Sequence, residues 1–182
     1  MKINSVRFHL AAVGIILLAA GSLAFGQQTG TLKVKTTTGR AGVFVDDKYV
    51  GPASNFGMSR SYAVAAGDHT ITLREPRYET ATTKVTIVAG KTAVVRQDLK
   101  ALPEPKGPFG RLRTQGPEKY AAVYVNGAYM GHMDEFDNFA QGLLLPPGHY
   151  TVKIVPVSGG AGVEQAVDLK ANETTIVRAS GK

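Results

Sequence analysis

Short runs in which apolar and polar residues alternate recur along the chain from residue 30 onward. Leu32 and Val34 alternate with polar neighbours, and Val85 and Ile87 do the same further on. A period of two residues indicates half-buried β-strands, and Gly, Pro, Asn and Asp residues between the runs mark turns. The pattern predicts an all-β protein.

The pattern also repeats. Segment 42–51 (GVFVDDKYVG) returns 80 positions later as segment 122–131 (AVYVNGAYMG). Further on, apolar strand positions keep their phase while loops gain single residues, as expected when a buried face fixes the register. The chain is therefore predicted to contain two copies of one β unit.

Each copy contains a predicted two-residue hairpin turn, at 46–47 (Asp-Asp) and at 126–127 (Asn-Gly). Such turns need positive φ at both central residues, which Asn and Gly adopt more readily than Asp. The turn length fixes the register of the flanking strands. In the first copy the predicted pairs are Val45 with Lys48, Phe44 with Tyr49 and Val43 with Val50.

A proline-rich stretch separates the two copies. Residues 101–109 contain three prolines that keep the backbone extended. The predicted fold is all-β, with two tandem small antiparallel β-sandwich domains joined by this linker. The predicted divisions are a signal peptide at 1–26, a first β domain at 27–100, the linker at 101–109 and a second β domain at 110–182.

The N-terminal segment has the pattern of an export signal. Lys2 and Arg7 precede an apolar run from residue 10 to 20, and small residues stand at Ala24 and Gly26. We expect cleavage before Gln27 and an exported protein, periplasmic or at the cell surface. The alternative is an uncleaved N-terminal membrane anchor, because the apolar stretch approaches the ~20 residues that cross a bilayer.

Composition limits the chemistry. The 182 residues include no Cys, which excludes disulfides, thiolate catalysis and cysteine-based zinc sites. The sequence contains neither a G-x-S-x-G nor an H-E-x-x-H motif. We predict no catalytic residues, no metal and no cofactor, and therefore a protein that is not an enzyme; a secreted enzyme with an unrecognised site is the least favoured alternative.

An acidic cluster, Asp134, Glu135 and Asp137, follows the second hairpin. Carboxylate oxygens suit hard cations, but the spacing does not fit an EF-hand loop. A short helix from about Asp134 to Gln141, with acidic residues in its first turn, is the favoured prediction.

Charge is shared unevenly between the copies. Residues 30–100 hold eleven basic and six acidic residues, whereas residues 110–182 hold seven of each. A basic first unit favours an acidic partner: an envelope protein, an anionic polysaccharide or, by peripheral association, a membrane surface. Export of the protein argues against nucleic acid as that partner. A solvated strand face carrying Lys33 and Lys35 would give the same charge pattern without any partner.

Paired aromatic residues are the candidate binding residues. Hairpin pairing puts Phe44 beside Tyr49 and Tyr124 beside Tyr129. Exposed pairs would suit stacking on sugar rings, and Tyr129→Ala would then weaken retention on polysaccharide without lowering the melting temperature. Inward-facing pairs would instead be core residues, which the small size of each unit favours.

The repeated unit resembles a known family. A valine-rich strand, a V-D/N-x turn, a return strand ending in Gly51 or Gly131, and the segment Leu145 to Tyr150 (LPPGHY) are similar to the PEGA domain. The resemblance implies a small β-sandwich with an interaction role in the bacterial envelope and no catalytic residues. The predicted function is a non-catalytic, envelope-associated interaction or structural protein; the alternative is a carbohydrate-binding module that uses the paired aromatics.

Overall fold

A computed structural model describes residues 28–57 and 61–179. The predicted signal segment 1–26, and with it the choice between cleavage and a membrane anchor, lies outside the described residues. Among those residues, none of the helices is both long enough and apolar enough to span a membrane.

In its described residues, the first unit contains seven strands and one short 3-10 turn, Ala53–Phe56. The turn lies in the segment after the hairpin, where the sequence loses its strand alternation. The strands are β1 (Thr29–Lys35), β2 (Gly42–Val45), β3 (Lys48–Pro52), β4 (Tyr62–Ala65), β5 (Gly67–Arg74), β6 (Ala81–Ile87) and β7 (Thr92–Arg96).

The second unit repeats the seven strands, and the helical turn α1 (Met133–Phe136) takes the place of the 3-10 turn. Its strands are β8 (Gly110–Gln115), β9 (Ala122–Val125), β10 (Ala128–His132), β11 (Leu143–Leu145), β12 (Gly148–Val155), β13 (Val163–Leu169) and β14 (Thr174–Arg178).

Each unit folds its strands into a three-stranded and a four-stranded sheet. The order is β4-β1-β7 and β3-β2-β5-β6 in the first unit, and β11-β8-β14 and β10-β9-β12-β13 in the second. The predicted all-β sandwich architecture is confirmed. One pair in each unit, β1 with β7 and β8 with β14, is parallel rather than antiparallel.

The parallel pair arises because the chain changes sheets after β6. Gly90, with φ of 69°, forms the turn into β7, and Asn172, with φ of 61°, forms the equivalent turn into β14. The segment Gly90-Lys91-Thr92 stands between two predicted strands. It is a turn, but it connects two sheets instead of two neighbouring strands.

Each sandwich encloses its own apolar core. The inward residues of the first unit include Leu32 and Val34 of β1, Val43 of β2 and Ile71 of β5. The second core is formed from the equivalent strands, which contribute Leu112, Val123, Val152, Ile154 and Val177.

A third buried cluster joins the units. It consists of Phe44 and Tyr49 from the first unit and Ala122 and Tyr129 from the second, and we call it the inter-unit aromatic cluster. Phe44 lies between Val43 and Val45 in β2, so its side chain points away from the core that those valines enter. The β2-β3 hairpin of the first unit therefore packs against the β9-β10 hairpin of the second.

The hairpin turns have the predicted conformation. Asp46 and Asp47 have φ of 49° and 62°, and Asn126 and Gly127 have φ of 49° and 80°. Both turns belong to the class with positive φ at both central residues. The side chain of Asp46 also accepts a hydrogen bond from the Thr70 amide at 2.9 Å, and Asn126 accepts one from Thr151 at 2.9 Å.

The predicted register holds for only two of the three pairs. Val45 pairs with Lys48 and Phe44 with Tyr49, but Val43 pairs with Gly51. The prediction that Val43 pairs with Val50 is wrong, because a β-bulge adds one residue to β3. Gly51 there has φ of 129°, and Gly131 in the equivalent bulge has φ of 140°, which explains why the repeat keeps glycine at this position.

Asp47→Gly is expected to stabilise the protein by about 0.5–1 kcal/mol. The positive φ at this position strains aspartate more than glycine, so the substitution relieves backbone strain. The relief exceeds the loss of the ion pair with Arg74, because the Asp47 side chain is 85% exposed and an exposed ion pair contributes little. Urea unfolding would measure the change, and Gly127→Asp in the second unit is the reverse control with the opposite sign. A less stable Asp47→Gly variant would show that the ion pair outweighs the backbone strain.

Candidate functional site

The four aromatic residues predicted as a binding site meet between the two units. Phe44 is 1% exposed, and Tyr49 and Tyr129 are each 7% exposed. Tyr124 is only partly buried and packs against the edge of the cluster. The structure thus brings the predicted residues together, but it buries three of the four rings, so they do not form a surface for stacking on sugars.

Tyr129 is the centre of the inter-unit aromatic cluster. Its ring centroid lies 5.3 Å from that of Phe44 at an interplanar angle of 88°, and 5.4 Å from that of Tyr49. The ring of Tyr124, from the same unit, lies 5.8 Å from that of Tyr129 at an interplanar angle of 73°. These are the edge-to-face and tilted distances at which aromatic pairs attract each other. Tyr129 therefore links its own hairpin to that of the other unit.

Small residues allow this close packing. A Cβ atom added to Gly42 would lie 2.5 Å from Cζ of Tyr129, so the ring rests directly on the backbone of β2. Ala122, the repeat equivalent of Gly42, is fully buried in the same cluster. The contact needs small side chains at these two positions as much as it needs the rings.

The tyrosine hydroxyls in the cluster are buried. Within residues 28–57 and 61–179, neither Tyr49 Oη nor Tyr129 Oη has a hydrogen-bond partner of normal geometry. Burial raises the pKa of Tyr49 and of Tyr129 well above the ordinary value for tyrosine. Both side chains are therefore neutral over the physiological pH range. Their rings stabilise the fold by packing, whereas burial of their hydroxyls costs part of that free energy.

Charged residues surround the cluster. The guanidinium carbon of Arg74 lies 4.3 Å from the ring centroid of Phe44. Arg40 of the first unit approaches Glu135 of the second, with 3.8 Å between Nη1 and Oε2. An apolar centre with a charged rim is the usual anatomy of a protein interface, so this region is best described as the contact that holds the units together.

The acidic segment of the second unit serves the fold. His132 precedes α1, and its backbone amide donates a hydrogen bond to Oε1 of Glu135 at 3.3 Å. Lys119 pairs with Asp134 at 3.9 Å. The predicted helix is present, but it covers only Met133–Phe136 and its cap is His132. In the described part of the chain no three His, Asp or Glu side chains are grouped so that they could hold a metal ion.

The three histidines that the structure describes are paired with carboxylates at separate places. Nδ1 of His69 lies 2.6 Å from Oδ2 of Asp46, and this hydrogen bond raises the pKa of His69. His132 pairs with Glu135 at 2.7 Å, and His149 pairs with Asp168. Each pair joins neighbouring strands or a strand and a turn, so the histidines in the described part of the chain do not converge on one site.

The outer faces of the three-stranded sheets hold basic residues that sequence reasoning left unassigned or read as a solvated strand. Lys33, Lys35 and Arg96 lie on the first sheet, which we call the first basic face. Arg111, Arg113 and Arg178 lie on the second sheet, the second basic face. None of the six strands in these sheets contains an acidic residue. The alternation of basic and buried residues along β1 and β8 is the sequence signal that could have predicted both basic faces.

The fold and the contact between units define an all-β protein of two sandwich modules with a buried aromatic junction. Residues 29–102 match the family model of the PEGA domain. The predicted resemblance is confirmed for this first unit. The match ends before the second unit, although the second unit has the same strand order as the first. PEGA domains occur in extracellular and periplasmic proteins.

A solved structure, the Bacillus anthracis TIE protein, is similar at 15% sequence identity and a TM-score of 0.32, over 84% of this chain and 34% of that chain. The chain thus spans about a third of the length of that structure. A search of curated proteins finds no match.

Proposed function

We propose that this protein is a non-catalytic interaction protein of the cell envelope, exported by its N-terminal segment, that binds an anionic polysaccharide through the first basic face. The observation that carries the proposal is the acid-free row of cations on the outer side of the β4-β1-β7 sheet. The PEGA family match supports the extracytoplasmic setting.

The sheet geometry supports this surface. Leu32 and Val34 are buried, so Lys33 and Lys35 between and after them lie on the outer side of β1. Arg96 pairs with Lys35 in the parallel ladder and shares that side. Among the described residues no carboxylate lies within ion-pair distance of Lys35 or Arg96, so their charges remain available to a polyanion.

The aromatic alternative has less support. A carbohydrate-binding role for the aromatic pairs needs flat rings exposed to solvent, and Phe44, Tyr49 and Tyr129 are buried between the units. The proposal also treats the protein as non-catalytic, since the three described histidine–carboxylate pairs lie at separate places with no nucleophile motif beside them in the sequence.

Retention on immobilised heparin, with neutral dextran as the blank, tests the proposal. The triple variant Lys33→Gln, Lys35→Gln, Arg96→Gln is expected to bind about tenfold more weakly, from roughly 0.5 kcal/mol for each exposed ion pair. The control triple Lys48→Gln, Lys84→Gln, Lys91→Gln removes the same charge from other exposed sites of the unit. Equal losses in the two triples would contradict a specific face and indicate binding by net charge alone.

A further inference from the structure

The outer face of the β11-β8-β14 sheet combines exposed apolar side chains with arginines. Phe139 is 82% exposed and Leu144 is 50% exposed. Leu144 is the direct ladder partner of Arg111, so these two residues share the outer side of the sheet. Large apolar side chains at this exposure are unusual enough, when grouped, to indicate a contact surface.

Arginines of β8 hold the loop that carries Phe139. Nη1 of Arg111 donates a hydrogen bond to the carbonyl oxygen of Phe139 at 3.3 Å, and Nη2 of Arg113 donates one to the carbonyl oxygen of Asp137. The guanidinium carbon of Arg113 lies 5.8 Å from the Phe139 ring centroid. The ring is thus positioned beside the second basic face instead of entering the core.

The positive charge of this face is uncompensated, although the unit as a whole has equal numbers of basic and acidic residues. In the described part of the chain no carboxylate lies within ion-pair distance of Arg111, Arg113 or Arg178. The nearest acidic residue in the loop, Asp137, contacts Arg113 through its backbone oxygen. Folding has therefore separated the charges of a neutral unit and left one face basic.

We propose that the second basic face docks on the surface of an anionic phospholipid bilayer, with Phe139 and Leu144 entering the headgroup region. Arginine forks match lipid phosphates, and anionic lipids attract nearby basic residues. An apolar ring beside those arginines gains by burial at the boundary between headgroups and acyl chains. The bilayer supplies both the charge and the apolar layer that this face presents, whereas an acidic polymer supplies only the charge.

This proposal is independent of the function proposed above. The two basic faces belong to different units, the first on the β4-β1-β7 sheet and the second on the β11-β8-β14 sheet. Loss of heparin binding by the first face leaves the second face unaffected, and the converse also holds.

A fluorescent probe at the tip of the face tests the proposal. The chain contains no Trp, so Phe139→Trp introduces a single indole whose emission reports its own surroundings. With vesicles of phosphatidylglycerol and phosphatidylcholine, we expect a blue shift and quenching by lipids brominated on their acyl chains. Vesicles of phosphatidylcholine alone should give neither. The readout is local, so binding through the apolar N-terminal segment of the full chain does not produce it.

Two matched variants sharpen the test. Val88→Trp places the probe at a residue 48% exposed in the first unit and should show no quenching. In the Phe139→Trp background, Arg178→Gln should weaken the lipid response about fivefold, as expected for one basic residue near an anionic surface. Arg96→Gln, the repeat-equivalent change, should leave it unchanged.

The outcomes are decisive in both directions. A shift at position 139 that needs anionic lipid and weakens with Arg178→Gln supports docking on the bilayer. No shift, an equal shift with phosphatidylcholine alone, or an equal response from Val88→Trp overturns it. A blue shift produced by soluble heparin but not by vesicles would also overturn it and assign the face to a polyanion instead.

Discussion

Tyr129→Ala is expected to lower the free energy of unfolding by about 3 kcal/mol. Truncation of a buried aromatic residue costs roughly 3–5 kcal/mol, and removal of the unpartnered hydroxyl returns part of that cost. The Tyr129 ring is 7% exposed and contacts rings of both units. Urea unfolding of the full chain measures the change. A polysaccharide-binding ring exposed to solvent would predict no such loss.

Two variants control this experiment. Phe139→Ala removes an aromatic ring that is 82% exposed in the same unit and should change stability by less than about 0.5 kcal/mol. Tyr129→Phe keeps the ring and removes only the buried hydroxyl, so it should be neutral or stabilising by about 1 kcal/mol. If Tyr129→Ala were no more destabilising than Phe139→Ala, the ring would not be packed between the units in solution.

Leu32→Ala and Leu112→Ala are each expected to cost about 3 kcal/mol and to lower the melting temperature by roughly 6–12 °C. These leucines are repeat equivalents in the centres of the two cores, with exposures of 0% and 1%. Because the inter-unit aromatic cluster couples the units, each variant should shift one shared transition. Calorimetry measures both the shift and the number of transitions.

The control for the leucine pair is Leu144→Ala, which truncates a leucine that is 50% exposed and should have little effect on the melting temperature. Two separate transitions, of which Leu32→Ala moves only one and Leu112→Ala only the other, would contradict the coupling. The aromatic cluster would then be too weak to make the two units unfold together.

Local signals account for the parts of the fold that the sequence predicted correctly. A two-residue turn between β-branched and aromatic runs permits few backbone conformations, so the pairing of Phe44 with Tyr49 follows from the turn itself. The bulge at Gly51 was not predicted, because a glycine at a strand end can be a turn or a bulge until the partner strand is known. The parallel pairing of β1 with β7 is equally non-local.

The sequence predicted which aromatic residues form pairs, but not where those pairs lie. The repeat identified Phe44, Tyr49, Tyr124 and Tyr129 as equivalent pairs, and adjacent valines could have indicated that β2 and β9 are buried on both faces. Both possibilities considered for the rings, solvent exposure or the core of one sandwich, were incomplete. The rings lie in a third apolar cluster between sandwiches, which requires a partner surface that alternation along a single strand does not specify.

The sequence by itself determined the class of fold, the two copies, the turn positions and which residues are paired across each hairpin. These depend on interactions within a few residues and on a period of two, which a single chain displays directly. Only the tertiary structure decided that the aromatic pairs face each other and that the neutral second unit has a basic face. Both depend on which outer surfaces meet and which remain in solvent, and that choice is made by packing between elements far apart in the chain.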